Sequence, residues 1–460
     1  MDFSDFNKSG AFLIGLSDCD EKVTAAGGRV STQPGTALGI WAKSQDAEKN
    51  ANLIDKVTRS GHNSVVEHTY YNLVFQNVSA VVEQFVIEFR LASFTVKSRR
   101  YVDFSDAGFY VPEFSDAEMT ERYKSHMASL FALYSEFTES GVAKEDARFL
   151  LPYCLFSNFF CSVNGREFLH MLKAMLYGRG SKYPEIRALG EMLLTQAREK
   201  TPGILLDFEK RNEHLQSDVP DLSFVDLPKN TGKKAPVELL ACTPDAAKHV
   251  ARNALIEYTG ADTDTVAQAV ESQETTEKVI AALLKSSRPR ALESVNFTLR
   301  FNGISLSELT HFTRHRMQSV QIADLRYTDR AKYIIPPAVK ENPALLEKYC
   351  AAFESMRAEY EALRAAGIPE TDLVYYQMSG NTVDIVTTMN ARELLLFLRL
   401  RTCTRAQWEI RTHATEALRL LRDAAPEIFK FYGPSCFVDK CPEGRMSCGR
   451  MAEMQERFSK

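Results

Sequence analysis

The string Thr313-Arg314-His315-Arg316-Met317-Gln318-Ser319 sets three basic residues side by side near the end of a stretch with helical patterning, and Asp324-Leu325-Arg326-Tyr327 follows it. Neighbouring cations repel unless they face an anion or water. The run therefore reads either as an anion-binding turn or as a solvated basic turn that complements a helix C-terminus. Further arginines at Arg100, Arg148 and Arg401 add planar forks of the kind that grip a phosphate dianion through paired hydrogen bonds. His311 and His315 stand four apart, and His62 lies near His68, so a metal is the rival chemistry. Neither pair carries the HExxH arrangement or a carboxylate at ligand spacing, which argues against it. The tail GPSCFVDKCPEGRMSCGR is different. Cys436, Cys441 and Cys448 could bind zinc or an iron–sulfur cluster with a fourth ligand such as Cys403, or could be three surface thiols.

The elements that must position these residues occur twice. Glu67/Glu293, Leu73/Leu299, Phe75/Phe301, Ser79/Ser305, Arg90/Arg316, Ser93/Ser319, Arg100/Arg326 and Tyr101/Tyr327 are all 226 positions apart, as are NGREFL from Asn164 and NARELL from Asn390. PEIRAL from Pro184 faces WEIRTH from Trp408 at a shift of 224, so short insertions separate the copies. A shared register over such a span marks an internal duplication. Two homologous domains are expected, at 1–211 and 237–432, with a polar linker containing Pro and Gly at 212–236 and a cysteine-containing tail at 433–460. In each copy an alternating aromatic stretch, YYNLVFQNV or VNFTLRFNG, predicts a strand. SAVVEQFVIEFRLA and SLSELTHFTRHRMQ predict the helices that follow, with Ser305 and Glu308 as a capping box. MNARELLLFLRLRTCTRAQWEIRTHATEALRLL predicts long amphipathic helices. The fold class is α+β: in each half, a small sheet with long helices.

Composition excludes several classes. The chain has 460 residues, enough at roughly 150 per domain for two or three cores. Its formal net charge of −4 carries no global positive field for a nucleic-acid backbone. No segment approaches the roughly 20 apolar residues of a membrane span. The first residues lack a basic region followed by an apolar run, so a cytoplasmic location is expected. Nine scattered cysteines in so large a chain read as reduced thiols.

With motifs and repeat combined, the chain resembles the flavin-dependent thymidylate synthases, in a tandem two-domain form. That family carries RHRxxS and then SxRY, with GHxSxxEH upstream, and ExxRxxLP and NxRxLxxFLxLR with AQWEIR further on. Copy one holds Gly61 to His68, Ser98-Arg99-Arg100-Tyr101, and Glu145, Arg148 and Leu151-Pro152. Copy two holds Arg314 to Ser319, Asn390, Arg392, Arg401 and Ala406 to Arg411. Each copy lacks what the other keeps. Glu88-Phe89-Arg90 and Met175 stand in copy one where copy two has Arg314-His315-Arg316 and Arg401; Asp324 stands in copy two where copy one has Ser98.

The resemblance implies reductive methylation of dUMP to dTMP, with methylene-tetrahydrofolate as carbon donor, reduced FAD as hydride source and NADPH as candidate reductant. It assigns Ser98, Arg99, Arg100, Arg148, Arg314 and Arg401 to a pyrimidine nucleotide monophosphate, with Arg401 and Ser98 catalytic. His62, Ser64, Arg314, His315, Arg316 and Asn390 fall to the FAD. The family's site is shared between subunits of a tetramer, so one composite site per chain and a homodimer imitating that tetramer are expected. Thr95-Val96 and Gln321-Ile322 stand where the family has Asn-Glu before SxRY, and His170 and Leu396 where it has a second Asn. These departures leave two alternatives: a flavoenzyme modifying another pyrimidine nucleotide, or a catalytically silent nucleotide- or flavin-binding protein.

Overall fold

Alternation along the aromatic stretches becomes sheet. In the computed structural model, which describes residues 8–17, 21–114, 116–215, 220–222, 224–226 and 234–459, copy one forms β1 (Gly10–Leu16), β2 (Tyr70–Ser79), β3 (Ser93–Val96) and β4 (Phe156–Asn164). They make an antiparallel sheet in the order β1-β2-β4-β3. Copy two forms β5 (Val237–Cys242), β6 (Asn296–Ser305), β7 (Gln318–Ile322), β8 (Asp329–Tyr333) and β9 (Asn381–Asn390), in the order β5-β6-β9-β7 with β8 also on β9. Tyr71, Leu73 and Phe75 of β2 and Phe297, Leu299 and Phe301 of β6 point into the cores. Such a two-residue period is what a strand covered on one face requires.

Each repeat turns from strand into helix by the same device. The pairing slips between Phe75 and Val78 in β2, and between Phe301 and Ile304 in β6. At the slip Asn77 has φ 48° and Gly303 φ 65°, the left-handed region that Asn and Gly tolerate best. The Asn77 amide donates to Asn158 Oδ1 at 3.1 Å and the Gly303 amide to Asp384 Oδ1 at 2.8 Å. Ser79 then caps α1 (Ala80–Ile87) through the Val82 amide. Ser305 likewise caps the helix Leu306–Phe312 through the Glu308 amide. The rest of the expected capping box is absent. The Ser305 amide and hydroxyl both donate to Glu409, at 2.9 and 2.6 Å, while the Glu308 carboxylate meets His413 Nδ1 at 2.8 Å. Copy one repeats the outer contact, Ser79 donating to Glu185 from both atoms. A glutamate from a distant helix displaces the local one because it can take both donors at once.

The helices that bear on the site are α2 (Ala117–Glu139), α3 (Gly165–Leu176) and α4 (Pro184–Lys200) in copy one, and α5 (Pro343–Ala365), α6 (Ala391–Arg401) and α7 (Trp408–Ala424) in copy two. Two compact units result: Met1–Lys229 with Ile335–Ser379, and Asn230–Ile334 with Gly380–Lys460. They do not follow the repeat boundaries, because α5, although part of copy two, packs in the first unit. There Arg122 of α2 pairs with Glu359 at 2.9 Å, and Tyr375 donates to Glu185 at 2.9 Å. Much of the expected linker lies outside the described residues. No helix among the described residues is long and apolar enough to cross a membrane.

Candidate active site

In the first unit the Ser98–Tyr101 turn follows β3, closed by Tyr101 and Val102 amides donating to the Ser98 carbonyl at 3.3 and 3.0 Å. Its Ser98 hydroxyl accepts from the Arg100 amide at 3.3 Å. Glu145 ties this turn to the next motif: its carboxylate pairs with Arg100 and its carbonyl accepts from Arg148 Nε at 3.0 Å. Ser98, Arg100 and Arg148 are thereby brought together. Arg99 is not with them. It is 7% exposed and paired with Glu83, which also accepts from Ser157, so its charge is already neutralised inside the protein. Its side chain is turned to the interior, so Arg99 is left out of the nucleotide site proposed below. His62 and Ser64 are exposed beside the short turn of helix Asn63–His68, which begins just after Gly61 at φ 87°.

In the second unit the three basic residues sit on the turn after helix Leu306–Phe312. The His315 amide and the Gln318 side chain both donate to the Phe312 carbonyl, at 3.0 and 2.5 Å, and Thr387 of β9 donates to Gln318 Oε1 at 2.7 Å. Fixed in this way, the turn exposes Arg314 and Arg316 and buries His315. The imidazole lies between two residues of α6: Nδ1 is 2.9 Å from Glu393 Oε1, and Nε2 accepts from Arg401 Nε at 3.1 Å. Phe397 presents its ring edgewise, 5.1 Å between centroids. Arg401 also donates from Nη2 to the His311 carbonyl at 3.1 Å. Burial, and then the positive charge of Arg401, outweigh the pull of Glu393 and hold His315 below the ordinary histidine pKa. Both ring nitrogens being engaged, the pairing of His311 with His315 offers no metal site.

Asn390 caps α6, its side-chain oxygen accepting from the Glu393 amide at 2.8 Å. Beside it opens a cavity of about 690 Å³ whose lining includes Ser286, Ser287, Met317, Asn390, Arg392 and Leu396. That volume lies in the usual range of small-molecule sites. An ion pair between Arg392 and Glu293 stiffens one wall, and Arg166 and Glu67 repeat it in copy one at 2.9 Å. The cavity's walls are apolar over most of their area, and Asn390, Arg392, Arg399, Glu293, Glu393 and two serines supply the polar groups, which suits a planar, partly polar cofactor. Of the residues expected to hold FAD, Asn390 lines this cavity and Arg314 and Arg316 lie exposed in the same unit, whereas His315 is buried away from solvent.

The mirror positions are disarmed one by one. Asp324 accepts from the Arg326 amide, Nε and Nη2 at 3.0, 3.1 and 3.1 Å, so the acid in place of Ser98 binds the arginine equivalent to Arg100. In copy one Glu88 pairs with Arg179 at 2.8 Å, while Phe89 and Met175 fill the positions of His315 and Arg401 with buried apolar side chains.

In the tail, burial and then the neighbouring thiols of Cys403, Cys441 and Cys448 push the Cys436 thiol up, so the expected cysteines lie near one another. Among the described residues no three His, Cys, Asp or Glu side chains are grouped so as to hold a metal ion. Cys436 is buried on a helical turn, and the Cys441 thiol meets Ser447 Oγ at 3.7 Å. Cys436, Cys441 and Cys448, like the other described cysteines, are free thiols; Cys19 lies outside the described residues. Two features escaped sequence reasoning. The glutamate three positions after Asn390 carries the N-x-x-E signal of a helix start, but not its imidazole partner. The Glu308–Glu409–His413 cluster, whose carboxyls burial pushes up, has no sequence signal because its members come from two helices.

Comparison with known proteins follows the repeat. The family described as "Thymidylate synthase complementing protein" matches residues 13–203 and again 238–427. A flavin-dependent thymidylate synthase of Geobacter sulfurreducens is 33% identical over 226 residues, 48% of this chain and 97% of that protein. One from Clostridium tetani is 34% identical over 240 residues, 48% of this chain and 96% of that protein. Among solved structures, a UMP/dUMP methylase PolB from Streptomyces cacaoi bound with 5-Br dUMP is 21% identical, with a TM-score of 0.38, and covers 44% of this chain and 96% of that one.

Proposed function

This chain belongs to the thymidylate synthase complementing protein family, and from that premise we propose that it is a flavin-dependent methyltransferase making dTMP from dUMP, with methylene-tetrahydrofolate as the carbon donor. The observation that carries this reading is the asymmetry of the copies. Copy one keeps Ser98, Arg100 and Arg148 gathered around Glu145, and copy two keeps Arg314 and Arg401 around His315. The counterpart of each set is neutralised by Asp324 or replaced by Phe89 and Met175. Loss scattered at random would not favour this division between the copies.

In this reading Arg100, Arg148 and Arg314 neutralise the phosphate dianion and fix the nucleotide's orientation. Ser98 hydrogen-bonds the pyrimidine edge. Arg401 polarises a uracil carbonyl and so stabilises negative charge as the ring carbon becomes nucleophilic. Asn390 and Arg392 at the cavity, with Arg314, Arg316, His62 and Ser64, hold FAD, which supplies the hydride when bound. NADPH is the candidate reductant. Thr95-Val96 and Gln321-Ile322, where the family has Asn-Glu, favour a second reading in which the substrate is another pyrimidine nucleotide. Purified protein is expected to be yellow or to take up FAD, to shift its flavin spectrum on adding dUMP, and to form dTMP with methylene-tetrahydrofolate and reductant. Turnover of another pyrimidine nucleotide in place of dUMP would select the second reading; flavin or nucleotide binding without any turnover would leave a silent binding protein.

A further inference from the structure

The Arg401 guanidinium is held by the His315 imidazole and the His311 carbonyl. An arginine Nε always carries its hydrogen. Because Arg401 Nε donates to His315 Nε2 at 3.1 Å, that ring nitrogen must offer a lone pair. The neutral imidazole then keeps its proton on Nδ1, which faces Glu393 Oε1 at 2.9 Å. Both His315 and Glu393 are buried, with the Phe397 ring against the imidazole, and Glu393 also borders the cavity beside Asn390. The charged groups acting on the ring are Glu393 and Arg401 from α6 and Arg314 from its own turn.

We propose that Glu393 and His315 are positioning residues for Arg401: the carboxylate fixes the Nδ1–H tautomer, and the lone pair so exposed on Nε2 holds the guanidinium by its Nε edge. This rests on the assignment of Arg401 to the nucleotide.

Copy one shows what the glutamate does without the rest. Glu167, at the equivalent helix position, takes the Leu91 amide at 3.4 Å and the partly exposed His170 Nδ1 at 3.3 Å, with Phe89 and Met175 replacing the imidazole and guanidinium. A carboxylate in the first turn of this helix is therefore favoured on its own, by the helix dipole and cap. Only in copy two does it govern a tautomer. The chain of contacts also assigns His315 a role different from touching the flavin.

The test compares His315→Gln with His315→Phe. Glutamine can accept from Arg401 through its oxygen and donate to Glu393 through its amide, reproducing both contacts without titrating. Phenylalanine, the copy-one residue, does neither. Expected are a drop of about 100-fold in kcat for the Phe variant, with flavin content unchanged, and retention to within about tenfold for the Gln variant. Wild-type activity should fall on the acid side, as protonation turns Nε2 into a donor facing Arg401. His315→Gln should flatten that limb, and Glu393→Gln should move it to lower pH, because removing the anion makes the imidazolium harder to form. Equal losses for His315→Gln and His315→Phe at unchanged flavin content, or an acid limb that neither His315→Gln nor Glu393→Gln moves, would overturn the proposal.

Nitrogen-15 spectra of histidine-labelled protein, assigned through His315→Gln, provide a readout independent of turnover. Nε2 should be unprotonated in wild type, and the preference should weaken in Glu393→Gln. A protonated Nε2 in active wild-type enzyme rejects the relay. A correct tautomer in an enzyme that turns over no pyrimidine nucleotide rejects the functional reading and leaves the relay standing.

Discussion

At the scale of single residues, Arg401 and Arg326 differ in what holds them. Arg401 rests on an imidazole and a carbonyl, whereas Arg326 is gripped by Asp324 through three donors. Arg401→Ala should therefore lower kcat/KM by a factor of roughly 100 or more, about 3 kcal/mol of transition-state stabilisation. Arg326→Ala should leave turnover within about threefold of wild type, since its half-buried guanidinium is already taken up by Asp324. Steady-state kinetics of the two variants check this, and equal losses would reject the division of labour between the copies. The family resemblance singled out Arg100, Arg148, Arg314 and Arg401 as anion-binding candidates. It could not show that Arg99 turns inward to Glu83, because adjacent residues of a tight turn differ in direction and not in kind.

At the scale of elements, strand, bulge and capped helix recur as one unit, and its strain can be measured. Gly303 sits at φ 65° with open space where a side chain would begin, so an added methyl costs backbone strain and no clash. Gly303→Ala should destabilise by about 1 kcal/mol. Gly303→Asn, which installs the residue copy one uses at Asn77, should cost less than half of that; urea midpoints decide it. The same unit holds a pH dependence. Glu185 is wholly buried beneath Ser79 and Tyr375, and desolvation pushes it up to about 7 despite three donors. A carboxyl raised in the native state binds protons that the unfolded chain has released. Its stabilising contribution is full below the ordinary glutamate value and lost as pH rises towards 7. Glu185→Gln should gain on wild type between pH 5 and pH 8 by about 1–3 kcal/mol in denaturant titrations. A constant difference would mean Glu185 does not titrate in that range. Helix starts and strand periods were readable from Ser79, Ser305 and the aromatic alternation. The partners of those caps were not, since Glu185 and Glu409 arrive from more than a hundred positions away.

At the scale of the whole molecule, duplication bears on the count of sites. If one chain stands for two family subunits, light scattering should find a dimer and flavin titration one FAD per chain. Two per chain would mean that the neutralised set still binds. The repeat itself was plain in the sequence; the division into compact units was not, because nothing in the local pattern of α5 tells which core it will join. That placement has a consequence for cutting the chain. The backbone passes between the units at 229/230, 334/335 and 379/380, so a single break in the region joining the copies leaves residues 335–379 of the second fragment folded into the first. Co-expressed halves, split between residues 211 and 237, should purify as one particle and reach native-like activity together. A half made alone should be insoluble or molten, lacking either the Arg122–Glu359 and Tyr375–Glu185 contacts or the body those residues dock on. On this division, tandem repetition has produced two copies in sequence whose compact units are not separable at one cut.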